Sequence, residues 1–283
     1  MRANKGWGQF IAKVVAFAIA GCTGIGGVGA KSLSPNFSDI WWNPSESGWG
    51  VQLVHTGTFI FATVFVYGQD GKPTWVTGEL ESSVPPGLSD PAPVSFSGPL
   101  YVTTGLYFGV PFSVPANARP AGEMTFTPST LNTVTGANSG QLTYSVDGVS
   151  VTKAIERQPL TLDNYSGTYQ GLWAAEFTDC TDPARNSSRS LWNLEFSITQ
   201  NGPSIAMSMT ESDGRKCTYN GTYSQMGRMG LVQMEYTCPS GDVGTGTFFE
   251  MSIRPHIVSG RLLGHSTSRG CNMSGDFTMI DPN

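Results

Sequence analysis

The sequence predicts an all-β protein of two antiparallel domains, the second an eight-stranded up-and-down, lipocalin-like barrel held by two disulfides. Three observations carry that prediction. After residue 30 no stretch sustains the 3.6-residue apolar period of an amphipathic helix, whereas apolar and polar side chains alternate with period two. Turn formers are abundant, with 35 Gly and 18 Pro, and only 13% of the chain is charged. Four of the five cysteines fall in the second half, an even set suited to cross-linking one domain.

Residues 1–30 read as a targeting segment set apart from the fold. Arg2, Lys5 and Lys13 form its basic start, and "VVAFAIAG" (Val14 to Gly21) an apolar core too short to span a bilayer. Two cleavages are open. Ile19-Ala20-Gly21-Cys22 resembles a bacterial lipobox, in which Cys22 becomes the lipidated N-terminus of a protein anchored at the outer membrane. Val28-Gly29-Ala30 instead suits release of a soluble periplasmic or secreted product starting at Lys31. Either route takes Cys22 out of thiol chemistry. Cys180, Cys217, Cys238 and Cys271 remain, as expected for two disulfides in an oxidising compartment. No C-x-x-C or paired-histidine spacing points to a metal, and no cofactor is implied. Loss of the three basic residues leaves 13 basic against 21 acidic groups, a net charge of −8 with no Lys/Arg run. That excludes the clustered cationic surface a nucleic-acid partner needs.

The first domain is placed at residues 34–158. Within it "TFIFATVFVYGQDGKPTWV" reads as a hairpin about a type I′ turn at Asp70-Gly71, pairing Phe65 with Val76, Val66 with Trp75 and Tyr67 with Thr74. Its first strand is apolar on both sides, with Phe59, Phe61, Phe65 and Tyr67 opposite Ile60, Val64 and Val66, which predicts burial on both faces. "QLTYSVDGVSVTKAI" repeats the device at Asp147-Gly148 and pairs Tyr144 with Val151. The proline-rich "SSVPPGLSDPAP" and "GVPFSVPANARPAG" are assigned to loops.

The second domain is placed at residues 162–281, after the break at "ERQPLTLDN". Its inner rows read Tyr165/Gly167/Tyr169/Gly171/Trp173, Trp192/Leu194/Phe196/Ile198, Ile205/Met207/Met209, Phe249/Met251/Ile253, Gly260/Leu262/Gly264 and Met273/Gly275/Phe277/Met279. Pairing "CTYNGTY" with "LVQMEYTC" about Gly227-Arg228 sets Tyr219 against Tyr236 and Cys217 against Cys238. It also puts every apolar pair on one face, which a one-residue slip would destroy. Closing the barrel brings Cys180 beside Cys271, so Cys180–Cys271 with Cys217–Cys238 is the favoured connectivity, the other pairings remaining open. The Met-rich lining suits either a filled core or a small apolar guest, the filled core being favoured.

"DIWWNPSESGWG" (Asp39 to Gly50) is the most conspicuous motif. It reads as an edge strand, an Asn-Pro turn and a second strand, and Trp41, Trp42, Asn43, Glu46 and Trp49 are its candidate binding residues. The ligand classes are a glycan or a small apolar molecule stacked on tryptophan; the competing reading is a core filled by the indoles. No catalytic residues are assigned: no G-x-S-x-G elbow occurs, and hydrolysis at Glu46 needs a second carboxylate for which only Asp39 or Glu79 stands near in sequence.

"WWNPSESGWGVQL", "FATVFVYGQDGKPTWV", "GPLYVTTG" and "SGQLTYSVDGVSVTKAIERQ", in this order, resemble a domain that recurs in exported, largely uncharacterised proteins of Gram-negative bacteria. The resemblance covers residues 38–158, and the second half is similar to a cysteine-containing module that accompanies that domain. It implies export and β architecture, with no activity or catalytic residues attached. The expected function is a lipid-anchored, non-catalytic binding or surface-interaction module of the envelope. The alternatives are an assembly or structural factor acting through protein contacts and, third, a hydrolase using Glu46.

Overall fold

The computed structural model describes residues 36–83, 94–111, 113, 115–129 and 138–282; residues 1–30, expected to be a targeting segment and including Cys22, lie outside them, as does Val84 to Pro93 of the first proline-rich stretch. Two closed eight-stranded antiparallel barrels make up the described chain. The first runs β1 (Asp39–Trp42), β2 (Gly50–Thr56), β3 (Phe59–Tyr67), β4 (Pro73–Ser82), β5 (Phe96–Thr104), β6 (Asn117–Pro128), β7 (Ser139–Val146) and β8 (Val149–Arg157). The second runs β9 (Gly167–Thr178), β10 (Ser187–Asn201), β11 (Ser204–Thr210), β12 (Lys216–Met226), β13 (Met229–Thr237), β14 (Val243–Arg254), β15 (Ile257–Ser266) and β16 (Cys271–Ile280). Each strand pairs with its neighbours in sequence, and β1–β8 and β9–β16 close the circles. No helix among the described residues is long and apolar enough to cross a membrane.

Alternation decides the inside of both barrels. Val51, Leu53, Ile60, Ala62, Val64, Val76 and Leu80 are buried in the first, and Trp173, Phe196, Met207, Tyr219, Val232 and Met279 in the second. Several expected registers are present. Tyr144 pairs with Val151, with both Asp147 and Gly148 at positive φ as a type I′ turn requires. Tyr219 pairs with Tyr236. The disulfides are Cys180–Cys271 and Cys217–Cys238. Both close the rim opposite the interdomain linker, and such bonds persist in oxidising compartments rather than in the reducing cytosol.

Five expectations are corrected. The first hairpin is one residue out of the predicted register: Phe65 pairs with Trp75 and Val66 with Thr74. Gly71 alone takes positive φ, and Asp70 instead accepts the Lys72 amide at 3.1 Å, so the link is a three-residue bulged turn rather than a type I′ pair. That slip does not disturb the buried row of β3, but its other row is open to solvent: Phe61, Phe65 and Tyr67 are exposed. Asn117 to Gly122, assigned to a loop, belongs to β6; β6 pairs with β7 only from Met124 to Pro128, so Pro120 removes no bond on that side. β1 is not an edge strand, since it pairs with both β2 and β8. In β14 a bulge at Glu250, itself at positive φ, reverses the parity, so Phe248 joins the core while Phe249 lies under the Arg261 guanidinium. A similar bulge at Asn193 brings Leu191 against the core; the side chain of Trp192 lies outside the described residues.

The closing seam of the first barrel holds a buried ion pair. Arg157 Nη1 donates to Asp39 Oδ2 at 2.9 Å, with side chains only 3% and 6% exposed. Arg157 Nη2 also donates to the Asn36 carbonyl at 2.6 Å, and the guanidinium lies 4.8 Å over the Trp41 ring. The second barrel enters here: the Arg228 amide donates to Asp39 Oδ2 at 3.1 Å and Arg228 Nε to the Ser38 carbonyl at 2.9 Å. Gly227 is needed twice over, for its positive φ and because a Cβ there would stand 2.2 Å from Asp39 Oδ2. The linker is tied by Gln225 Oε1, which accepts the Asp163 amide at 3.1 Å, and by Gln200 Oε1, which accepts the Tyr165 amide at 3.0 Å.

Two stability predictions arise. Asp39→Asn, which leaves a buried guanidinium without its carboxylate, is expected to cost about 3–5 kcal/mol in urea unfolding, and Asp39→Asn with Arg157→Met less. For the disulfides, loop-closure entropy over separations of 91 and 21 residues predicts losses of roughly 4.6 and 3.3 kcal/mol. Replacing Cys180 and Cys271 by Ala should therefore lower the unfolding midpoint more than replacing Cys217 and Cys238; the reverse order would refute that account.

Candidate functional site

The opening motif forms a clasp over the end of the first barrel remote from the linker. Asn43 and Pro44 make a tight turn in which Asn43 Oδ1 accepts the Ser45 amide at 2.9 Å and the Asn43 carbonyl accepts the Glu46 amide at 3.0 Å. Gly48, at φ 104, then turns the chain, and Gly50 lies so close to the Trp41 carbonyl that a Cβ would sit 3.1 Å from it. Glu46 is thereby presented to the barrel. Its Oε2 accepts from Lys153 Nζ at 2.6 Å and from Trp49 Nε1 at 3.1 Å, and the ammonium stands 5.7 Å from the Trp49 ring centroid.

The candidate residues therefore part company. Trp41 is fully buried, with Nε1 donating to the Phe37 carbonyl at 3.0 Å and Phe126 packed against it edge-on. Trp42 is half-buried, and its Nε1 is enclosed without a hydrogen-bond partner among the described residues. Asn43 shapes the turn, while Glu46 and Trp49 form the clasp. No platform of three stacked indoles exists, and neither face of Trp41 is open to a sugar. Asp39 is held by Arg157 at the seam and Glu79 points outward, so neither is placed as a second carboxylate for Glu46. Among the described residues no three His, Cys, Asp or Glu side chains gather as a metal site.

Sequence reasoning missed one member of the clasp, Lys153. The signal was there in β8, where Lys153 has the inward parity of Val151 and Ile155. The hydrogen bond from Lys153 holds the Glu46 carboxyl below its ordinary value, against the raising effect of burial, and burial raises the Tyr144 phenol.

The same end of the barrel carries a second, larger feature. Tyr67 and Trp75 are each 60% exposed on the outer face, with Phe65 paired directly to Trp75. Gly50 lies opposite Phe65 and Gly48 near Tyr67, leaving the rings uncovered along that side and bounding a groove of about 360 Å³. The loop from β5 to β6 adds Leu106, Tyr107, Phe108 and Val110, all exposed, Phe108 by 82%. Large apolar side chains gathered on one rim are rare on a surface without partners.

In the second barrel a cavity of about 110 Å³ opens at the disulfide rim, past the ion pairs Glu211–Arg215 and Asp242–Arg269.

No family model matches the sequence, and no curated protein matches it. Among solved structures, a candidate outer membrane protein from Bacteroides fragilis is similar over 89% of this chain and 99% of its own, at 12% identity and a TM-score of 0.32. Two mutants of the vaccine antigen transferrin binding protein B from Haemophilus parasuis are similar over 84% of this chain and 66% of theirs, each at 9% identity and a TM-score of 0.29. Likeness so remote says nothing of this chain's partner.

The clasp makes a pH prediction. Because the folded pKa of Glu46 lies below its ordinary 4.5, the contact with Lys153 favours the closed clasp above that pH and is lost as pH falls through the folded value. Trp49 fluorescence should change in that acid range, and the step should vanish in Glu46→Gln.

Proposed function

We propose that this protein is an exported envelope protein, anchored through a lipid on Cys22, that acts as a non-catalytic binding or surface-interaction module. The observation that carries the binding role is the exposed aromatic rim of the first barrel. Phe65, Tyr67 and Trp75 are fixed on strands, so they lose little further freedom on binding. Their rings offer flat apolar faces, and Tyr and Trp add a polar tip, which suits a glycan or a small apolar partner. Two disulfides, the lipobox, the acidic mature chain and the resemblance to exported β-rich domains support the compartment. The Glu46 carboxylate serves the fold by binding Lys153 and Trp49, which supports the non-catalytic reading.

Native mass spectrometry against glycan and lipid panels tests the role. A retained small molecule that is lost in Tyr67→Ser/Trp75→Ser, with the barrel intact by circular dichroism, is the expected result. Retention of only a protein partner would favour the assembly-factor alternative, and turnover abolished by Glu46→Gln would restore the hydrolase. For the anchor, Cys22→Ser should move the protein from the membrane to the soluble fraction; a parent protein already soluble would refute lipidation.

A further inference from the structure

The cavity of the second barrel is bedded on Trp173, Ala175, Phe177, Met209, Tyr219 and Met273. Its volume of about 110 Å³ is a little below the roughly 150 Å³ that holds benzene elsewhere, and methionine side chains can move to admit a guest of that size. Its charges are committed. Arg215 binds Glu211 and Asp213, each at 2.7 Å. Asp242 Oδ2 accepts from Arg269 at 2.9 Å, while its Oδ1 accepts from the Ser266 and Ser268 hydroxyls at 2.6 and 2.7 Å. The Cys217–Cys238 bridge lies in the same wall and fixes the mouth.

One polar group in this wall is different. Buried tyrosines normally find a partner for the hydroxyl. In this barrel Tyr165 donates to the Met251 carbonyl, Tyr169 to the Tyr165 carbonyl, Tyr223 to Gln225 and Tyr236 to Asp242. Tyr219 has a ring as buried as these, at 5% exposure, and lines the cavity; its hydroxyl makes no hydrogen bond among the described residues and is not enclosed, so it faces open space rather than a protein partner.

We propose that this cavity is a binding site for an uncharged molecule of single-ring size, held by the apolar bed and by one hydrogen bond to the Tyr219 hydroxyl. Among the described residues that line it, Glu211, Arg215, Asp242 and Arg269 are paired, which disfavours selection of an ion. An apolar bed disfavours a lone water, which needs two to four polar partners. The site extends the binding role to the second barrel, and it stands apart from the aromatic rim of the first. Failure of the Tyr67/Trp75 test leaves it untouched, and its own failure leaves that rim in place.

The test uses the full mature protein, oxidised and labelled at the methionine methyls, titrated with p-cresol and with toluene. Saturable shifts at Met209 and Met273, the two methionines in the wall, are expected, together with p-cresol binding about three- to tenfold tighter than toluene. Tyr219→Phe should erase that preference while keeping toluene binding, and Ala175→Leu should fill the bed and abolish both. Absence of saturable shifts at Met209 and Met273 overturns the proposal, as does a p-cresol preference unchanged in Tyr219→Phe. Should Ala175→Leu fail to fold, the Tyr219→Phe comparison, which keeps the ring, decides alone.

Discussion

The buried pair between Asp39 and Arg157 is the contact on which the arrangement depends. β1 has four residues and meets β8 through only two paired positions, Trp41 with Arg157 and Trp42 with Glu156. So short a seam offers few ladder hydrogen bonds, and the ion pair and the Arg157–Trp41 stack lie across it. Burial itself pulls the Arg157 pKa down, against the raising effect of Asp39. Desolvation of this kind makes a buried pair weak as a source of stability but severe in its demand for geometry. Here that demand extends to the second barrel, because Asp39 also accepts the Arg228 amide at the tip of the β12–β13 hairpin.

The other two rims lie away from this junction, and they differ in chemistry. The first barrel's far rim combines a clasp of Glu46, Lys153 and Trp49 with aromatic side chains turned outward. The second barrel's far rim is covalently braced by two disulfides and ringed by ion pairs around a small apolar recess. An outward aromatic surface offers flat faces on which a glycan or a small apolar ligand can lie. A braced recess suits a guest small enough to enter it.

Much of the fold was legible because period-two alternation admits only one inward row per strand. That rule placed Tyr219 against Tyr236 and brought Cys180, Cys217, Cys238 and Cys271 to one rim. It failed where one extra residue changes parity. The bulges at Asn193 and Glu250 leave no mark in composition, and the Asp70-Gly71 pair is shared by turns of different length. β3 misled for another reason: two apolar rows predict two buried faces, yet Phe61, Phe65 and Tyr67 face solvent. Hydrophobicity states a preference for burial, and only the surroundings determine whether anything is there to bury against.

The sequence by itself determined the class, the strands, the disulfide rim and the paired tyrosines of β12 and β13, because these follow from local alternation and from chain closure. Only the tertiary structure decided the fate of the motif's residues. Trp41 went to the core, Glu46 to a lysine more than a hundred positions away, and Asp39 to a seam shared by both barrels. It alone also left one tyrosine hydroxyl unmatched beside a cavity. Parity along a strand is a property of neighbours in the chain, whereas partners across a barrel are set by how the sheet closes.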